Sequence, residues 1–467
     1  MVVVGLSWGG LETLMRETAL FAATGFLILG AGDLLVDLLW LWIGGRGRAE
    51  RPAQSTAQHE EPAGPDESGA IDPPNMVMFV PAWDEAAVIG PMLRGALAAY
   101  AAADFRLYLG CYPNDPATQV AAAALADPRL RIARCPSPGP TTKADCLNAL
   151  WRALLADEEK GARRADAVVL HDAEDVVHAE EPAVLLRHLG AADLVQLPVL
   201  PLIDRHSRHV GGHYADEFAE AHGKELIVRQ WLGAAVPSAG VGCAVSRAAL
   251  DRIAAAAPGG LPFDPASLTE DYELGLRIAE AGGRTRFVRE RGADGSLVAT
   301  RAYFPGTLAA AVRQKSRWVT GIGLAGWDRL GWRGGPAERW MRLRDRQGLL
   351  AALLLVCGYA SIAFSLLLKL HEAAGGAPAA AFPTGLAWLV KINLALLAWR
   401  LFVRAAFTTA AYGPVEGLRS LPRALVANGI AIVAAACALS RYASLRRTGL
   451  PVWGKTVHRF PAQAAAP

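Results

Sequence analysis

The chain has 467 residues, 52% of them hydrophobic, with a mean hydropathy of +0.23; this is too apolar for an ordinary soluble protein and long enough for one large domain plus further elements. Its 47 basic and 44 acidic residues leave a net charge of +3, which excludes the strongly basic surface of a nucleic-acid binder. The six cysteines (Cys111, Cys135, Cys146, Cys243, Cys357, Cys437) form no CxxC pair, which excludes a zinc finger and fits a reduced cytosolic face.

In chain order, a weakly charged leader precedes an apolar run from about Ala19 to Ile43, long enough to cross a bilayer. Arg46, Arg48 and Arg51 follow it closely, so the positive-inside rule puts the amino terminus outside and the following segment in the cytoplasm. Asp33 and Asp37 interrupt the run one helical turn apart and are expected to face other helices rather than lipid. Residues 44–75, rich in Gly, Pro, Ala, Gln and Glu, carry no apolar periodicity and read as a flexible linker.

From Met76 the pattern changes to short apolar runs alternating with Ala-rich helical stretches: Met76 to Val80, Phe105 to Cys111, Leu130 to Ala133 and Ala167 to Leu170. That alternation predicts an α/β domain of βαβ units around a mostly parallel sheet. Polar residues follow each run: Asp84 and Glu85, then Asn114 and Asp115, then Thr141, Thr142 and Lys143, then Asp172, Glu174 and Asp175. Four polar strand ends suit a nucleotide-shaped ligand across the carboxyl edge of the sheet. Asp172, Glu174 and Asp175 repel one another unless a cation lies among them, and a hard divalent ion, Mg2+ or Mn2+, suits oxygen donors. The competing reading is an acidic helix N-terminus.

Leu268-Thr269-Glu270-Asp271 opens a helical pattern, where Asp271 could act as a general base or Thr269 simply cap the helix. Arg313-Gln314-Lys315-Ser316-Arg317-Trp318 follows on a helix expected to carry Trp327 and Trp332 as well. Cations there could absorb diphosphate charge and an indole could stack on a sugar; a helix anchored to anionic lipid is the other reading. His213, His222 and Lys224, interspersed with Asp216, Glu217 and Glu220, are expected on a solvated or acceptor-facing helix rather than around a metal.

Asp115, the cluster at Asp172, Thr269-Glu270-Asp271 and Gln314-x-x-Arg317-Trp318, in that order and flanked by membrane segments, resemble glycosyltransferase family 2 of the processive, cellulose-synthase-like kind. Tyr112-Pro113-Asn114-Asp115-Pro116-Ala117-Thr118, Lys143-Ala144-Asp145-Cys146-Leu147-Asn148, His171-Asp172-Ala173-Glu174-Asp175 and Trp453-x-Lys455-Thr456 are similar to the NfrB group of bacterial inner-membrane phage-adsorption proteins. The resemblance implies a Rossmann-like GT-A catalytic domain with transmembrane and interfacial helices. It also implies a UDP-sugar donor, with a UDP-N-acetylhexosamine one choice, and a growing glycan as acceptor. Asp115 would bind uridine, while Lys143 and Glu85 would contact the nucleotide. Asp172, Glu174 and Asp175 would occupy the metal-binding DxD position, here Asp-Ala-Glu followed by Asp. Asp271, beside Glu270, would be the base of an inverting transfer. Gln314, Arg317 and Trp318 would hold the diphosphate and acceptor sugar, and Ser238-Ala239-Gly240-Val241-Gly242 would line the acceptor path.

The expected organisation is a transmembrane helix in 1–43, the linker, a cytoplasmic GT-A domain over 76–303, an interfacial helix over 304–335, membrane helices over 336–441 and a basic cytoplasmic tail over 442–467. Leu349 to Leu370 and Thr384 to about Arg404 read as two further crossings. Leu421 to Leu439 has arginines on both flanks, which favours a re-entrant or interfacial helix over another crossing. Three crossings are few for a private export channel, so a homo-oligomer or partner proteins, including an outer-membrane export component, are expected alongside membrane lipid. Relatives of this group can carry a regulatory domain after the membrane region; control by a cyclic dinucleotide is not expected of this chain, which ends at Pro467. Two alternatives stand beside polymer synthesis at the bacterial inner membrane: single-sugar transfer to a lipid-linked acceptor, and a non-catalytic scaffold of an envelope assembly.

Overall fold

The computed structural model describes residues 7–44, 75–449 and 458–461; the linker, apart from its terminal residues Gly44 and Asn75, and the Trp453-x-Lys455-Thr456 motif lie outside them. The α/β domain is built on strands β1 (Met76–Pro81), β2 (Phe105–Cys111), β3 (Leu130–Arg134), β4 (Ala167–Leu170), β5 (Leu194–Gln196), β6 (Cys243–Ser246) and β7 (Thr285–Phe287). They form one seven-stranded sheet in the order β3-β2-β1-β4-β6-β5-β7. All pairings are parallel except those of β6, which runs antiparallel to both β4 and β5.

Strand β1 is buried on both faces, as its unbroken apolar run requires. Side chains alternate across a strand, so Met76, Met78 and Val80 pack against the helix Ile89–Ala99 on one face, while Val77 and Phe79 meet the helix Lys143–Glu159 on the other. The carboxyl ends of β1 and β4 therefore emerge side by side, in register from Met76 with Ala167 to Phe79 with Leu170. Their following loops carry Glu85 and the acidic cluster to the same rim.

Among the described residues, four helices are long and apolar enough to cross a membrane: Trp8–Trp42, Gly348–Ala373, Thr384–Tyr412 and Pro414–Thr448. The first three form a bundle. Trp8 stacks on His371 with ring centroids 3.7 Å apart, and Ser361 donates to the Met15 carbonyl at 3.2 Å. Gly25 lies directly against Leu354, a close approach that small residues permit in such bundles. The Asn393 amide donates to the Ala23 carbonyl at 2.8 Å. Asp33 pairs with Arg344 and Arg400, and Asp37 with Lys224 and the Trp399 indole, so both aspartates face neighbouring helices and the α/β domain. The outward faces are apolar, with Ile28 and Ile362 each 66% exposed.

The fourth helix packs both against the bundle, where Asn428 donates to the Tyr359 hydroxyl at 3.0 Å, and against the α/β domain. Pro414–Thr448 is one uninterrupted helix that continues through Pro422, so the re-entrant break is not found. It lies along the α/β domain, held at both ends. Near its start Arg423 is fully buried, bonded to Asp216, Glu416 and the Arg208 carbonyl. Near its end Tyr442 donates to Asp328 at 2.5 Å and Arg446 pairs with the same carboxylate at 3.6 Å. Between these anchors Ile430 packs on Ala311 and Tyr214, while Leu418, Leu425 and Leu439 stay exposed on the opposite side.

Two further expectations need correction. The stretch with His213, His222 and Lys224 is not solvated: all three side chains are buried, because the helix Val210–Glu220 and the π turn Ala221–Glu225 are wedged between the sheet domain and the apolar helices. Trp332 does not share a helix with Trp318. The helix Leu308–Trp318 runs through a π turn to Leu330, and Gly331, with φ +55°, ends it before Trp332.

Candidate active site

The chain at the end of β4 divides the three acids among different partners. His171 is wholly buried, with Nδ1 2.9 Å from Asp175 Oδ2 and Nε2 2.7 Å from Glu181 Oε1. Burial opposes its protonation, but Glu181 and Asp175 outweigh it and hold the imidazole at about 10, hence charged. Asp175 also accepts the Asp172 backbone N–H at 2.9 Å, so it faces into the fold as a brace for the loop. Asp172 faces the cavity and pairs with Lys143 at 2.6 Å. Lys143 opens a helix capped by Thr142, whose hydroxyl accepts the Asp145 N–H. Burial works against its charge, while Asp172, Glu270 and Asp271 hold it firmly protonated.

Glu174 turns the other way, toward Glu85 and the end of the chain. His458 stands between the two carboxylates, Nδ1 2.8 Å from Glu85 Oε1 and Nε2 3.2 Å from Glu174 Oε1. Burial lifts the Glu174 carboxyl to about 8, with His458 working against the rise and Asp172, Asp175 and Glu85 adding to it. For His458, burial favours the neutral ring, but Glu174 and Glu85 together keep its pKa at about 9. Glu85, Glu174 and His458 offer ligand atoms that all lie within 4.8 Å of one another. Two carboxylates and an imidazole suit a divalent ion such as Mn2+ or Mg2+.

Opposite the acids, Glu270 and Asp271 begin the helix Glu270–Glu280. Thr269 occupies the N-cap position but its side chain makes no capping bond; its N–H goes to Ser267, which donates to Glu273 at 2.7 Å. Burial raises the Glu270 carboxyl to about 7, reinforced by Asp271 and opposed by Lys143 and Arg317. Asp271 accepts the Tyr272 N–H at 2.7 Å and lies against Gly240, where φ is +74° and a Cβ would fall 2.5 Å from Asp271 Oδ2. Only glycine takes that conformation readily and leaves that space.

Gln314 and Arg317 lie one turn apart on the helix Leu308–Trp318 and so share a face. Gln314 Oε1 and Arg317 Nε are buried without a hydrogen-bond partner among the described residues. Such groups cost about 1–3 kcal/mol each, and a polar ligand in the cavity would relieve both. Trp318 sits edge-on to Tyr214, centroids 6.0 Å apart.

Glu85, Lys143, Asp172, Glu174, Asp175, Glu270, Asp271, Gln314, Arg317 and Trp318 all line one cavity of about 510 Å³. It continues past Ser238, Ala239 and Val241 to Asp33, Arg344 and Arg400 at the head of the apolar bundle. Asp115 is not in its lining. Its carboxylate accepts the Asp84 N–H at 2.6 Å and caps the helix Pro116–Ala123 through Thr118. Sequence reasoning missed two residues. Gln196 is buried at the end of β5, accepts the Ala239 N–H at 2.7 Å and donates to the Val241 carbonyl at 2.9 Å, clamping the loop along the cavity. His458 was passed over inside a basic tail; its signal was its place just after Thr456 in a motif already noted.

A family model described as glycosyltransferase-like family 2 matches residues 73–321. The chain is 32% identical over 478 residues to bacteriophage adsorption protein B of Escherichia coli, a match covering 96% of this chain and 62% of that protein. The counterpart from a second strain of the species gives the same figures. The chain thus spans about three fifths of the length of these curated relatives. Among solved structures, a mannosyltransferase from Pyrobaculum calidifontis in complex with GDP-mannose and Mn2+ superposes with a TM-score of 0.50. That match has 18% identity and covers 89% of this chain and 99% of the other. The likeness is one of fold, a GT-A glycosyltransferase domain with apolar helices.

Proposed function

The chain belongs to the glycosyltransferase-like family 2, and on that premise we propose that it is a metal-dependent, inverting glycosyltransferase of the bacterial inner membrane. It transfers sugar from a UDP-sugar, such as a UDP-N-acetylhexosamine, to a growing cell-surface or exopolysaccharide glycan. The observation that carries this reading is the meeting, in one cavity, of the acids after β4, the Glu270-Asp271 pair and the unpartnered Gln314 and Arg317. Asp271 takes the proton of an acceptor hydroxyl, whose oxygen bonds to the sugar C1 as the bond from C1 to the diphosphate breaks. Arg317 and Lys143 receive the negative charge of the departing nucleotide. Glu174, with Glu85 and Asp172 beside it, would hold Mg2+ or Mn2+, and the ion when bound would neutralise the diphosphate.

In this reading the α/β domain is cytoplasmic and three helices cross the membrane. Pro414–Thr448 lies in the interfacial plane, because its two anchors, Arg423 and Arg446, are about 35 Å apart along a helix rising ~1.5 Å per residue, yet both rest on the same domain. Continuity of the cavity with Asp33 and Arg400 supports delivery of the product toward the bundle. An export partner and a homo-oligomer would complete the route. The test is nucleoside diphosphate release by detergent-purified protein over a panel of UDP-sugars and GDP-mannose, with Mg2+, Mn2+ or chelator, beside Asp271→Asn. Metal-dependent release with one donor, absent in the variant, is expected; equal release from the variant would remove Asp271 as base.

A further inference from the structure

We propose that Arg346, held between Trp327 and Trp332, is a binding site for the phosphate of an anionic membrane lipid. The inference rests on reading the helical bundle as membrane-spanning and is independent of the transfer chemistry.

The first argument is one of elimination among charges. The helix Pro336–Arg346 carries four arginines against two acids, Glu338 and Asp345. Arg342 is bonded to Glu338 at 2.7 Å and to Glu280 at 2.9 Å, and Arg344 to Asp33 at 3.0 Å. Asp345 is taken by Arg229 at 2.9 Å and by the Tyr272 hydroxyl at 2.7 Å. Arg346 is left over. It is 6% exposed, and its Nε and both terminal nitrogens are buried without a hydrogen-bond partner among the described residues. A guanidinium is a planar fork of N–H donors that is never given up to deprotonation, so burying the whole fork unmet is costly and an anion relieves it.

The second argument is what surrounds the cation. Its central carbon lies 4.6 Å from the Trp332 ring centroid and 5.6 Å from that of Trp327. Gly331, with φ +55°, ends the helix between the two tryptophans, and their rings meet at 79° with centroids 5.1 Å apart. Indole faces hold a guanidinium while its N–H edge grips phosphate. Trp327 is 45% exposed, so one wall of the site opens outward.

The third argument is depth. Only Gln347 separates Arg346 from Gly348, the first residue of the second bundle helix. That places the cation at the level of the lipid phosphates, where tryptophan and arginine concentrate. Asp345 and Gln347 line the donor cavity but Arg346 does not, which separates this site from the nucleotide. A zwitterionic headgroup would bring a second cation against Arg346, so the ligand is an anionic lipid such as phosphatidylglycerol.

The experiment titrates delipidated full chain in detergent with phosphatidylglycerol, phosphatidylcholine or inorganic phosphate, reading bound adducts by native mass spectrometry and the unfolding midpoint. It is run beside Arg346→Gln and Arg339→Gln, the latter an exposed arginine of the same helix. Wild type and Arg339→Gln are expected to hold phosphatidylglycerol about 10-fold more tightly than Arg346→Gln. Without lipid, the Arg346→Gln midpoint should equal or exceed that of wild type, because a buried unpaired charge is gone; with phosphatidylglycerol the wild-type midpoint should rise and that of Arg346→Gln should not. Equal retention by wild type and Arg346→Gln would overturn the proposal. So would an Arg346→Gln midpoint well below wild type in lipid-free detergent, which would make Arg346 a packing residue. Inorganic phosphate that stabilises wild type as much as the lipid does, through Arg346, would overturn the lipid as its source, and phosphatidylcholine held as tightly as phosphatidylglycerol would overturn the anionic preference. Release of the chain from membranes by alkaline carbonate without detergent would overturn the membrane placement, and the site with it.

Discussion

Gly240→Ala tests whether Asp271 must sit where the structure puts it. Gly240 has φ +74°, and a Cβ there would fall 2.5 Å from Asp271 Oδ2, 2.8 Å from its Cβ and 3.1 Å from its Cγ. Carbon atoms rest at about 3.5–4.0 Å, so the Asp271 side chain must retreat by about 1 Å. Displacement of a reacting group by that much costs on the order of 100-fold in rate, equivalent to about 2.7 kcal/mol of barrier. The left-handed backbone adds a folding cost of about 1–2 kcal/mol for any residue with a side chain. Gly233 supplies the control: its φ is also +74°, and a Cβ there would meet nothing within 4 Å among the described residues. Both alanine variants should therefore lose similar thermal stability. Turnover per folded molecule, measured as nucleotide release, should fall about 100-fold in Gly240→Ala and stay within a few-fold of wild type in Gly233→Ala. Equal turnover in the two variants would refute the link between Gly240 and the base.

Two other expectations concern the frame around the site. Arg423→Met leaves Asp216 as a buried carboxylate without its cation, while Glu416 keeps Arg419, and should lower stability by about 3–5 kcal/mol; an unchanged unfolding midpoint in detergent would mean that the helix Pro414–Thr448 is not anchored there. Glu217 pairs with Lys315, beside Gln314 on the same helix. Burial opposes ionisation of Glu217, but Lys315, with His213 and Arg404, holds it down at about 2. A depressed carboxyl stabilises the fold above its unfolded value, near 4.5, and this contribution vanishes as pH falls from there toward 2. Glu217→Gln should flatten the fall in unfolding temperature across that window; an identical slope in both proteins would count against the pair.

Much of the domain could be read from the chain because β1 to β4 are apolar runs set off by polar ends, and all four start where the runs start and end within a residue of them. β5, β6 and β7 span three or four residues each, too short for any periodicity to stand out, and the antiparallel insertion of β6 is a tertiary fact. The site acids were legible as a set, but not their division of labour. Which carboxylate braces a loop and which faces a cavity depends on His171, Lys143 and His458, residues distant in sequence or apolar in context. Asp115 shows the same division: its oxygens accept the Asp84 and Thr118 N–H groups, partners that the motif alone does not name. The burial of His213, His222 and Lys224 was hidden because their cover comes from the helix Thr384–Tyr412 and from Asp37, far away in the chain. The arginines on both sides of Leu421 to Leu439 pair with acids distant in the chain, Arg423 with Asp216 and Arg446 with Asp328.

The most direct test is sugar transfer itself. Purified full chain, supplied with Mn2+ and the donor panel, should release nucleoside diphosphate from one donor, stop on chelation, and fall to background in Asp271→Asn at normal protein level. Release at the same rate from Asp271→Asn would contradict the assignment of the base. Transfer by no donor, in membranes where the wild-type chain supports surface glycan, would contradict the enzyme reading and leave the scaffold.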